Sequence, residues 1–176
     1  MGQILAKCCK QKYCRILMIG SEREIKYKIL QRNFEEFIKE QKGKEEFEEL
    51  DIQVDQSLYI KLLDITPDML EEKYEKQLSK FNGIIYCTTP GYEDYDKIWI
   101  ESLRDNNIYL SKYILFFQDP DSDFELTDDG YPKQKVIQAR YDNDNQTEKG
   151  FDWIVQSILK GRVYNSTAPQ IQIQMS

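Results

Sequence analysis

The chain alternates short runs that are apolar throughout with longer segments whose apolar residues recur every three or four positions. CRILMI (14–19), GIIYCTT (83–89) and YILFF (113–117) offer no polar side to water. Each predicts a strand buried on both faces, which only a sheet covered by helices on both sides can supply. SLYIKLLDI (57–65) predicts another such strand, and short runs at 52–54 and KVIQAR (135–140) complete six. Between them, helical spacing links Ile29, Leu30, Phe34, Phe37 and Ile38, then Leu70, Tyr74, Leu78 and Phe81, then Tyr95, Trp99 and Leu103. Phe151, Ile154, Val155, Ile158 and Leu159 mark a last amphipathic helix, with Trp153 expected on a neighbouring, partly buried side. Strands alternating with helices predict a three-layer α/β/α domain around a mostly parallel six-stranded sheet. The domain spans 14–161, after a leader of 1–13 and before an extended tail of 162–176.

Charge and residue usage remove several functions. The net charge is −7, so a nucleic-acid backbone has no cationic surplus to meet. The chain has no histidine, which excludes Ser-His and Cys-His catalysis and most zinc sites. Its cysteines are Cys8, Cys9, Cys14 and Cys87, with no repeated CxxC pair, so neither a metal knuckle nor a secreted disulfide framework is indicated. No run approaches the ~18 apolar residues of a membrane span.

In a parallel sheet, ligands bind where loops leave the carboxyl ends of the strands. Three such ends carry polar candidates here: Gly20 to Lys26, Asp64, and Asp119 with Asp121.

Three stretches give these elements a family likeness. MGQILAKCC at the start, CRILMIG at the first strand, and VIQARYDNDNQTEKGFDWIVQSIL near the end together resemble the ADP-ribosylation factor (Arf and Arf-like) family of small GTPases. The likeness implies a small-GTPase fold and a nucleotide site at the carboxyl end of the sheet. It also shows where this chain departs from the pattern.

The family's phosphate loop, GxxxxGK[ST], closes backbone N–H groups on phosphate, extends lysine to the outer phosphates and places a hydroxyl on Mg²⁺. Gly20 and Lys26 match it. The second glycine is Ile25, the hydroxyl residue is Tyr27, and Glu22 and Glu24 bring like charge to the phosphate position. The DxxGQ element reads Asp64-Ile65-Thr66-Pro67-Asp68: Asp64 is kept, but Pro67 has no N–H to sense a γ-phosphate. No threonine lies between Asn33 and Gln56 to serve as the first-switch magnesium ligand. The base-reading [NT]KxD element becomes Gln118-Asp119-Pro120-Asp121, in which Gln118 and Asp121 are the remaining candidates. A later SAK-like element reads Ala139-Arg140-Tyr141. Each stretch also reads as an ordinary polar turn closing a strand or opening a helix.

At the N-terminus, Gly2 is a candidate for myristoylation and Cys8 and Cys9 for palmitoylation. Lys7, Lys10, Lys12 and Arg15 form a basic patch beside them. A leader that packs on the fold or on a partner is the plainer alternative.

The sequence therefore predicts a degenerate Arf-like protein, with no catalytic residue, no metal and either no cofactor or residual GTP or GDP. It would act peripherally at the cytoplasmic face of a membrane by binding protein partners. Two alternatives stand beside this reading. One is a structural subunit of a large assembly built from a decayed Arf-like domain, and the other is an active GTP-binding regulator with unusual motifs.

Overall fold

The computed structural model describes residues 12–20, 22–34, 49–53, 58–65, 81–105, 112–122, 126, 133–140 and 145–166. In chain order the elements are β1 (Lys12–Gly20), α1 (Arg23–Asn33), β2 (Glu49–Gln53), β3 (Leu58–Ile65), β4 (Gly83–Cys87), α2 (Glu93–Asp105), β5 (Tyr113–Gln118), β6 (Gln134–Gln138) and α3 (Gln146–Ser166). They build a six-stranded sheet in the order β2-β3-β1-β4-β5-β6. Every neighbouring pair is parallel except β2 with β3, which is antiparallel at the edge.

The strands were legible because the central ones bury both faces. On β1, Cys14, Ile16 and Met18 join one core with α1 and α3, through Ile29, Leu30, Phe151, Ile154 and Ile158. Leu17 and Ile19 join the other core, with Trp99, Ile100 and Leu103 of α2. Two-residue alternation along one strand thus feeds two separate helix layers.

Helix chemistry agrees with helix position. In α1, Lys28 pairs with Glu24 at 2.9 Å across one turn. Glu24 in the first turn and Arg32 in the last complement the helix dipole. At its end, the Asn33 amide donates to the Ile29 carbonyl at 2.7 Å and to Thr147 Oγ1 at 3.2 Å, tying α1 to α3. A turn from Thr89 to Tyr92 introduces α2, with the Tyr92 N–H on the Thr89 carbonyl at 3.1 Å. Pro90 takes its first central position and Gly91, at φ +86°, its second. This left-handed second position is what a type II turn requires of glycine.

Several expectations shift. The stretch around Phe37 and Ile38 and that from Leu70 to Leu78 lie outside the described residues, as do Gly2, Cys8 and Cys9. Phe81 is described, and it is fully buried ahead of β4 rather than on a helix there. The last helix continues past Gly161 to Ser166, into the segment expected as extended tail. Tyr95 was expected on the apolar face of α2, but it is 38% exposed and Asp96 takes the buried position.

Candidate functional site

The carboxyl ends of β1, β4, β5 and β6 lie side by side, since Gly20 pairs with Cys87, Cys87 with Phe117, and Gln118 with Gln138. Gly20 is required there by close approach. A Cβ at that position would lie 2.7 Å from the Cys87 carbonyl oxygen, which belongs to the neighbouring backbone and cannot give way.

Beyond Gly20 the chain departs from a phosphate cradle. Such a loop needs the residues between its first glycine and its lysine to arc with N–H groups turned inward. Here α1 already begins at Arg23, with the first helical bond running from the Lys26 N–H to the Glu22 carbonyl at 3.5 Å. Glu22 occupies the position before the helix in extended conformation and makes no side-chain cap. Lys26 is 1% exposed, and its ammonium donates to the Gly20 carbonyl at 3.0 Å. Ile25 and Tyr27 on either side pack against the core shared by α1 and α3. The Lys26 ammonium is thus directed at the last residue of the strand that precedes it.

Asp64 stands at the carboxyl end of β3, opposite Met18 in the register. Pro67 and Asp68 lie outside the described residues.

At the end of β5, Gln118 is buried, and its Oε1 accepts the Leu126 N–H at 3.1 Å. Asp119 to Ser122 form a tight turn closed by the Ser122 N–H on the Asp119 carbonyl at 3.1 Å. The Asp119 carboxylate accepts the Asp121 N–H at 2.9 Å, the local bond that makes aspartate a turn former. The Asp121 carboxylate pairs with Arg140 at 3.4 Å, both side chains being largely exposed. Arg140 sits just beyond β6, where the Ala139 N–H bonds to the Gln118 carbonyl at 2.9 Å. The turn after β5 and the end of β6 therefore bind each other.

Sequence reading missed a buried polar cluster one strand away. Asp96 is fully buried at the start of α2. It accepts the Tyr86 hydroxyl at 2.7 Å and the Thr89 N–H at 3.2 Å. Burial pushes the Asp96 carboxyl up to about 6, against the opposing pull of those two hydrogen bonds. Burial, with Asp96 nearby, drives the Tyr86 hydroxyl far above its ordinary range, so it remains a donor. Thr89 Oγ1 is buried without a hydrogen-bond partner among the described residues. The sequence held a signal, because Asp96, Trp99 and Leu103 fall on one helical face, and an acid there demands buried partners.

No protein-family model matches the chain, and no curated protein does. Among solved structures, it is similar to the crystal structure of GDP-bound T. brucei IFT22. The TM-score is 0.53 at 17% sequence identity, over 86% of this chain and 99% of that one. The α/β fold is that of the small GTPases.

Proposed function

We propose that this small-GTPase-fold chain has lost the nucleotide cycle and works by binding protein partners at a membrane surface. The observation that carries the first half is Lys26, enclosed and donating to the Gly20 carbonyl beneath a helix that starts at Arg23. Arg23 to Lys26, the second half of the stretch that would cradle phosphate, are already helical, and Gln118 and Asp121 are engaged with protein groups. Titration calorimetry of nucleotide-stripped protein with GTP and GDP should show no binding, or weak binding indifferent to Mg²⁺. Submicromolar affinity that requires Mg²⁺ would overturn the reading.

The GDP in the similar structure favours a second reading, in which residual nucleotide is held by Lys26 and Asp121. Nucleotide extracted from purified protein and identified by mass separates the two. Under this second reading, Lys26→Ala loses that nucleotide.

The membrane half is supported by where the leader joins the fold. β1 begins at Lys12, at the amino end of the sheet. Lys112 and Lys133 immediately precede β5 and β6 at that same end. Burial, together with the charge of Lys133, lowers the pKa of Lys112, as expected where cations crowd. A basic surface of this kind adds ~1 kcal/mol per lysine or arginine at an anionic leaflet, while one acyl chain anchors only marginally. Gly2→Ala, or Cys8→Ser with Cys9→Ser, should move the protein from membrane to soluble fractions. An unmodified N-terminus by intact mass, with stoichiometric co-purification in a complex, would favour the structural-subunit alternative.

A further inference from the structure

We propose that the outer face of α2, centred on Ile98, is a docking surface for a cationic amphipathic helix of a partner protein. This gives the partner-binding reading a surface and a partner chemistry, and it holds whether or not nucleotide binds. The large hydrophobic side chains exposed among the described residues are Tyr92 at 47%, Tyr95 at 38% and Ile98 at 63%. Single exposed apolar residues are ordinary, but these are gathered at one place. Tyr95 and Ile98, three apart on α2, form a short stripe that Tyr92 extends just ahead of the helix. Trp99, Ile100 and Leu103 fill the core from α2, and none of the three stripe residues belongs to that cluster.

The rim selects the occupant. Asp94 and Glu101, one turn to either side of Ile98, are both exposed. Lys97 approaches Asp94 at 3.7 Å and offsets only part of this charge. An anionic lipid surface would meet repulsion here, and a second copy would set the acidic rim against itself. A helix with an apolar stripe flanked by lysine and arginine satisfies both the stripe and its rim.

The platform is also fixed in advance, which lowers the entropy lost on docking. The Asp96 N–H holds the Tyr92 carbonyl at 2.9 Å, and the Asp96 carboxylate bonds to the turn at Thr89. Tyrosine on a rigid base is the residue type that concentrates binding energy at interfaces.

The test titrates isotope-labelled full-length protein with two synthetic amphipathic helices sharing one leucine stripe. One is flanked by lysine and arginine, the other by glutamate. Amide shifts should cluster at 92–101 with the cationic peptide and be absent with the anionic one. Ile98→Asp should weaken cationic-peptide binding by about tenfold or more, the range expected for a central contact. Asp94→Lys with Glu101→Lys should reverse the preference between the peptides. The amide spectrum of each variant checks that the fold is kept, since all three positions are exposed. Shifts scattered over other acidic surface, equal binding of both peptides, or an indifferent Ile98→Asp overturn the proposal. A wild-type dimer that dissociates in Ile98→Asp would also overturn it, assigning the face to a second copy.

Discussion

Replacing Phe151 by alanine is expected to cost the fold about 3–5 kcal/mol, the range for deleting a buried aromatic ring. Phe151 is 4% exposed on the sheet side of α3. Its ring meets Phe34 edge-on at 5.0 Å and Phe117 at 6.0 Å, so one side chain links the end of α1, the sheet and α3. The site has little means of collapsing after truncation. Next to it, Gly150 already brings the helix backbone so near Phe117 that a Cβ there would lie 2.5 Å from the ring. The helix cannot move inward to fill the void, which places the cost toward the upper part of the range. Urea denaturation of wild type and variant measures it. A loss below about 1 kcal/mol would make α3 peripheral, contrary to its packing against Phe34 and Phe117.

The second large effect is a pH dependence at Asp96. Its folded pKa, about 6, lies above the ordinary 3.8, so the folded chain holds this proton more tightly than the unfolded chain. Stability from this group is therefore complete below the ordinary value and declines as pH rises through about 6. The full shift corresponds to ~3 kcal/mol. The α2 N-terminus favours the charged form and trims that figure, because helix dipoles stabilise acids in the first turn. The groups facing Asp96 are the Tyr86 hydroxyl and Thr89 N–H, which favour its ionised form, and Glu93, which opposes it. Asp96→Asn abolishes the titration at a fixed cost, since the amide cannot accept at both contacts. Unfolding free energies of both proteins across pH 4 to 7 should diverge in shape, wild type losing ~2–3 kcal/mol relative to the variant as pH rises. Parallel curves would show that Asp96 does not titrate in this window.

Much of the architecture was legible because it depends on patterns local to each strand and helix. CRILMI, GIIYC and YILFF lack a polar face, and a chain with such strands between helices has few arrangements open to it. The last helix declared its buried side through Phe151, Ile154, Val155 and Ile158, all of which are buried. Residues Ile25, Tyr27 and Pro67 were visible as departures from a known pattern, since a β-branched side chain, a bulky phenol and a missing N–H need no coordinates.

Other features required the tertiary structure, because they depend on residues far apart in the chain. Asp121 and Arg140 are separated by 19 positions, yet they pair because β5 and β6 run side by side. Gln118 looks like a stand-in for asparagine, but the fold commits it to the Leu126 N–H. Asp96 reads as one more solvated acid until Tyr86, on the strand beneath, is found to donate to it. The sequence by itself determined the layers, the central strands and which residues stand where the GxxxxGK[ST] pattern has glycine and a short hydroxyl, all set by local pattern and residue type. The tertiary structure alone decided where Lys26 directs its ammonium, which acid among the described residues is buried, and that the described residues leave the stripe on α2 exposed. Those outcomes depend on which backbone groups and side chains converge in space, and hydrophobic periodicity carries no information about that.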